Sequence, residues 1–134
     1  MKNLFKAGDV KTFARKVKPE DTASFDSGEV HPIYATFALT RDAEWVCRLF
    51  VLDMKDEDEE GIGTFITVKH ISPALVGEEV KFDATMLLLD KNSIICAYNA
   101  YCGERLIAEG ESGQKILKKD RLEKMFEELK EIDK

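Results

Sequence analysis

Residues 36–53 read TFALTRDAEWVCRLFVLD, and no Pro or Gly interrupts them. Leu39, Ala43, Val46 and Phe50 recur at steps of three and four, while Arg41, Glu44 and Arg48 follow the same rule on another face, so the stretch is predicted to be a helix. It carries more apolar residues than a surface helix needs. The rest of the chain therefore has to wrap it on several sides.

The wrapping material follows Gly61, where the helical period gives way to alternation. Ile66, Val68 and His70 fall on one side of a strand and Phe65, Thr67 and Lys69 on the other, which turns His70 inward, towards the helix. Ser72-Pro73 breaks that strand, and Gly77 marks the turn into 80–89, where Val80, Phe82, Ala84, Met86 and Leu88 alternate with Lys81, Asp83 and Thr85. Asp90-Lys91-Asn92 reads as a hairpin turn, 93–102 as the next strand, Gly103-Glu104 as a further turn and 105–117 as the last strand. From Lys119 onward, Leu122, Met125, Phe126 and Leu129 are spaced for an amphipathic helix that closes the domain or touches a partner. Upstream, 12–17 is predicted as a first strand, stopped by Lys18-Pro19-Glu20-Asp21, and 25–32 as an irregular lead-in able to line a pocket. One buried helix wrapped by a meander of antiparallel strands is an α+β architecture. The 134 residues suffice for a single domain, and no repeat or linker divides them.

Charge and cysteine usage narrow the classes of function. A formal net charge of -6 argues against a nucleic-acid partner, whose phosphates need a basic stripe. No apolar run approaches the roughly 20 residues of a spanning helix, so no membrane partner is expected. Cys47, Cys96 and Cys102 form no CxxC pair, and an odd number of thiols suits a reducing cytoplasm and a place in the core. The opening MKNLFKAGDVK lacks the apolar segment of a signal peptide, which also points to a cytoplasmic location. The run KDEDEE at 55–60 reads as a solvated loop rather than a metal site.

Two segments, 31–39 leading into Glu44 and GTFITVKHISPALVG at 63–77, resemble the fluoroacetyl-CoA thioesterase-like family of hot-dog proteins. The similarity extends from about Val10 to Leu117. It implies a hot-dog fold, an acyl-CoA substrate, coenzyme A only as part of that substrate, and a homodimer or higher homo-oligomer with sites at the interface. In that family a threonine just before the helix, a glutamate within it and a histidine on the next strand form the catalytic set. Thr36, Glu44 and His70 stand in those positions without a gap. The family glycine at the start of the histidine strand, whose backbone approaches the thioester, falls on Gly63.

Thioester hydrolysis needs a base, a donor for the developing oxyanion and a water-poor pocket. Histidine, with an unperturbed pKa near 6.5, suits the first role. A carboxylate on its second ring nitrogen, for which Glu44 is the candidate, fixes the tautomer and stabilises the imidazolium. The Thr36 hydroxyl can attack or can position the acyl carbonyl. Residues eight apart on one helix rise about 12 Å, so Thr36 and Glu44 cannot both reach one nitrogen unless the chain folds back before the helix or two subunits share the site.

Structural readings stand beside these. His70 is also what a satisfied core histidine looks like, Glu44 has the i,i+4 spacing of an ion pair with Arg48, Thr36 has the type and place of a helix cap, and Gly63 can relieve a bulge. A non-catalytic acyl-CoA or small-ligand binding protein on the same fold is the alternative to a hydrolase. Two departures from the family pattern also matter. Phenylalanines that gate the fluoroacetyl pocket in the family's namesake align with Ser27 and Val30, which implies a wider entrance and an acyl group other than fluoroacetyl. A basic residue that follows the last strand there aligns near Gln114. Lys69, Lys81, Arg105 and Lys115 are the basic side chains available to coenzyme A phosphates.

Overall fold

The computed structural model describes residues 1–25 and 28–133, and of Ser24, Phe25, Glu29 and Val30 the backbone alone. The predicted helix is α1, Thr36–Met54. Around it run β1 (Val10–Lys16), β2 (Thr22–Phe25), β3 (Gly28–Tyr34), β4 (Glu59–Ile66), β5 (Lys69–His70), β6 (Glu79–Asp90), β7 (Ser93–Cys102) and β8 (Arg105–Lys118), followed by α2 (Lys119–Ile132). The main sheet is antiparallel in the order β1-β6-β7-β8-β4, with β5 also pairing to β8.

The sheet curls around α1 because its alternation is consistent from strand to strand. Phe82, Ala84 and Met86 on β6 and Ile94, Cys96, Tyr98 and Ala100 on β7 are all buried, and Phe82 faces Ala100 while Ala84 faces Tyr98 across the ladder. Against this face α1 buries Leu39, Ala43, Val46, Cys47, Phe50, Val51 and Met54. Phe5 closes over Phe50 edge-on at 5.0 Å between ring centroids.

Four expectations need correcting. The described residues of the lead-in, Phe25 and 28–32, are not irregular but lie in β2 and β3, which pair as a separate two-stranded sheet; Pro32 and the small polar residues that suggested a loop fit this short, peripheral ladder. The strand expected through 63–70 divides into β4 and β5. Leu88 does not join the core, because a bulge between Met86 and Leu88 shifts the alternation and leaves it 48% exposed. The acidic run is only partly a solvated loop, since Glu59 and Glu60 begin β4, Glu59 is buried against the N-terminal ammonium at 2.8 Å, and Glu60 accepts from Arg48 at 2.7 Å.

The sequence left α2 either closing the domain or touching a partner. Only Leu122 of this helix is buried, with Met125, Phe126 and Leu129 left exposed, so it does not close the domain. No helix among the described residues is long and apolar enough to cross a membrane.

Candidate active site

The approach to α1 is fixed by its backbone. The Tyr34 amide donates to the Ala74 carbonyl and the Ala35 amide to the Asp21 carbonyl, both at 2.8 Å. Nearly two turns into the helix, Asp42 is buried and accepts from the Tyr34 hydroxyl and from Arg41 at 3.1 Å, with Arg15 also at 3.1 Å. A carboxylate out of water persists only when its lone pairs are used in this way. Burial and that carboxylate push the Tyr34 phenol well up, so it remains a donor. Burial alone would raise the Asp21 carboxyl, but the Arg41 guanidinium and the Lys18 amide hold it below the usual aspartate range.

This frame sets Thr36 at the first position of α1. It is not the cap, because Ala35 occupies that place and the helix has no side-chain cap bond. The hydroxyl turns instead to His70, with Oγ1 2.9 Å from Nδ1.

His70 reaches it because β5 continues the register of β4 against β8, with Ile66 opposite Ser112 and Lys69 opposite Glu109, so the alternation that turns Ile66, Val68 and His70 to one side carries through the break in the ladder. At the break the Thr67 amide donates to the Glu111 carbonyl at 2.8 Å and the Tyr98 hydroxyl to the Thr67 carbonyl at 2.6 Å. Gly110 makes room, since a Cβ there would lie 2.0 Å from the Thr67 carbonyl oxygen. Beyond His70, Arg105 donates to the Ser72 hydroxyl at 2.6 Å and to the Pro73 carbonyl at 2.5 Å. Arg105 is thus engaged in holding this turn.

His70 is half-buried, and its Nε2 is out of contact with solvent and has no hydrogen-bond partner among the described residues. Burial lowers its pKa below the ordinary histidine value, with the Ser72 backbone opposing in part. The imidazole is therefore neutral near pH 7 and has a lone pair to offer. Around the pair lies a recess of ≈ 340 Å³ formed with Ile33, Ile71, Ser72 and Pro73.

Glu44 and Gly63 form a second pair. Arg48, the expected surface partner of Glu44, bonds to Glu60 instead, which leaves the Glu44 carboxylate without a hydrogen bond or ion pair among the described residues. A Cβ on Gly63 would stand 3.2 Å from Glu44 Oε1, so the missing side chain opens the approach to the carboxylate. Both line a recess of ≈ 250 Å³ with Thr64, Phe65, Ile66 and Ser112. The two recesses have no lining residue in common.

Sequence reasoning overlooked Asp42 and Ser112. Asp42 and Tyr34 are eight residues apart with no local motif to join them, and Ser112 is an ordinary strand serine until its burial is known. Gln114 is not beyond the last strand: it lies inside β8, buried, and donates to the Cys47 carbonyl at 3.1 Å. Ser27 and the side chains of Phe25 and Val30, on which the gate comparison rested, lie outside the described residues.

Residues 17–120 match the family described as FlK, fluoroacetyl-CoA-specific thioesterase. The chain belongs to this family. A Thermus thermophilus protein of the thioesterase superfamily is 34% identical, with 96% of each chain covered and a TM-score of 0.90. A point mutant of the fluoroacetyl-CoA-specific thioesterase itself is 20% identical, with 95% of this chain and 98% of that one covered and a TM-score of 0.85. The same mutant solved with fluoroacetate and CoA is 20% identical over 88% of this chain and 99% of that one, with a TM-score of 0.81. No match was found among the curated proteins. The α+β hot-dog fold expected from the sequence is the fold observed, with the C-terminal helix added to it.

Proposed function

We propose that the protein is an acyl-CoA thioesterase acting on small or medium acyl groups. The contact of Thr36 Oγ1 with His70 Nδ1 at 2.9 Å, in a chain of the thioesterase family, carries this reading. His70 is the general base. With the Thr36 hydroxyl donating to Nδ1, the imidazole proton resides on Nε2, where it needs an acceptor. Thr36 then acts either as the nucleophile, passing its proton to His70 as it attacks the thioester carbonyl, or as the hydroxyl that positions that carbonyl while His70 activates water. The Gly63 N–H stands at an approach unobstructed by a Cβ and is the donor to the developing oxyanion. Coenzyme A enters as part of the substrate, and the reaction needs no other cofactor. In support, the relative solved with fluoroacetate and CoA shares this fold.

Glu44 is assigned to orient His70 across a homodimer, with the imidazole turning to uncover the Nε2 that is closed off within one chain. Within one chain the Thr36–His70 and Glu44–Gly63 pairs occupy separate recesses, while β4, which carries Gly63, ends the order of the main sheet. An open edge is a natural place for a second copy to pair, and it would bring one subunit's imidazole towards the other's carboxylate. Cys47, Cys96 and Cys102 are buried and unpaired, as suits the cytoplasm to which we assign the protein.

The test is thiol release from a panel of short, branched and aromatic acyl-CoAs with fluoroacetyl-CoA included. Small or medium acyl-CoAs are expected to turn over, with no dominant preference for the fluorinated one, because Ser27 and Val30 align with the gating phenylalanines. Tight acyl-CoA binding without thiol release would favour the binding-protein reading, and strong selectivity for fluoroacetyl-CoA would overturn the assignment of the gate.

A further inference from the structure

Ser112 lies at the floor of the recess that holds Glu44 and Gly63. On β8 it pairs with Ile66 of β4 and Cys96 of β7, and the residue is only 1% exposed. Its Oγ is buried and has no hydrogen-bond partner among the described residues. The Cys47 thiol on α1 is within hydrogen-bonding influence of it and is the one weak partner it has, since a thiol bonds a hydroxyl poorly and no contact of ordinary geometry forms among the described residues. Gln114, two residues along the strand, spends its amide on the Cys47 carbonyl instead. A hydroxyl left unpaired in an apolar interior is costly, and native structures keep such groups where a ligand or a water completes them.

The recess is small. Its ≈ 250 Å³ lies just below the roughly 300 to 1,000 Å³ usual for ligand pockets, which suits an acyl group of a few heavy atoms lying between the carboxylate and the floor. When such a group expels water, its far end determines whether Ser112 finds a partner. A hydrocarbon end leaves the hydroxyl unpaired, whereas an oxygen there completes it.

Resting on the thioesterase reading, we propose that Ser112 is a specificity-determining residue that selects short acyl groups bearing a hydrogen-bonding oxygen at their far end over plain hydrocarbon acyl groups of the same length. The hydroxyl donates to, or accepts from, that oxygen and takes no part in bond breaking.

The probes are 3-hydroxybutyryl-CoA and butyryl-CoA, read for kcat/KM by thiol release. Their non-hydrolysable thioether analogues are read for affinity by calorimetry, so selectivity is measured whether or not the protein turns over. Wild type should favour the hydroxylated member by about tenfold or more in both assays. Ser112→Ala, and Ser112→Cys as a near-isosteric second variant, should bring both ratios close to one, with thermal unfolding midpoints no lower than wild type. A purely structural serine would instead lower the midpoint and leave the ratios unchanged, which would overturn the proposal. Equal wild-type affinity for the two analogues would overturn it while leaving the hydrolase reading intact. Selective binding with no thiol release would remove the hydrolase reading and keep Ser112 as the selector, and failure to bind either analogue would remove both.

Discussion

In the proposed mechanism the chemistry rests on the two nitrogens of one imidazole. Nδ1 of His70 meets Thr36, while Nε2 is buried and unpaired in a single chain, which is not the pattern of a satisfied core histidine. His70→Ala and Glu44→Gln should each lower kcat by on the order of a hundredfold or more, and circular dichroism should show both variants folded. Wild-type turnover in folded His70→Ala would remove the base assignment. The direction of the His70 shift gives a second prediction. Its base form is the neutral one, and burial within the single chain lowers the folded pKa, so in Glu44→Gln, which lacks the carboxylate that stabilises the imidazolium, the acid limb of kcat/KM should fall below the ordinary histidine value of 6.5. Between those two values the unfolded chain binds more protons than the folded one, so stability is also lost as pH falls through that window. An acid limb above 6.5 in Glu44→Gln would contradict the base assignment, and a wild-type limb no higher than that of Glu44→Gln would contradict the pairing of Glu44 with the imidazole.

At the scale of elements, the register that β5 continues from the end of β4 against β8 is what aims His70 at the start of α1. Gly110 admits the turned Thr67 carbonyl where the ladder breaks, in the space a Cβ would fill. Because backbone rather than a flexible side chain would have to yield, Gly110→Ala should cost on the order of 2 kcal/mol or more in urea unfolding and depress turnover as well. Unchanged stability and activity would mean that the close approach of the Thr67 carbonyl to Gly110 does not hold this segment in place. The turns and alternation of 80–117 were readable in advance because each strand buries one face, and Asp90-Lys91-Asn92 and Gly103-Glu104 punctuate them. The division of 63–70 was not, since nothing in GTFITVKH signals that a glycine on another strand will admit a carbonyl. For the same reason Thr36, Glu44, His70 and Gly63 were singled out through the family resemblance alone, while their grouping into two pairs depends on distances that a linear pattern does not contain. The Asp42 network was equally hidden, its members coming from β1, the turn before β2, β3 and α1.

For the whole molecule the decisive question is how the two pairs meet, and an assembly prediction follows from their separation. If a homodimer pairs the chains so that Thr36 and His70 of one subunit work with Glu44 and Gly63 of the other, light scattering at micromolar concentration should show a dimer. Subunit mixing then tests the sharing directly. In a heterodimer of His70→Ala with Glu44→Gln, one site receives both lesions, and the other receives an intact His70 from one chain and an intact Glu44 from the other. Half the sites of each heterodimer are therefore wild type. Random reassortment of equal amounts makes about half the dimers mixed, so activity should rise from near nothing to about a quarter of the wild-type level. If each site is instead built within one chain, every site in the mixture carries one lesion and mixing restores nothing. Recovery to about a quarter therefore requires both a dimer and a shared site, whereas an active monomer, or a mixed dimer without recovery, would place Glu44 and His70 in the same subunit's site.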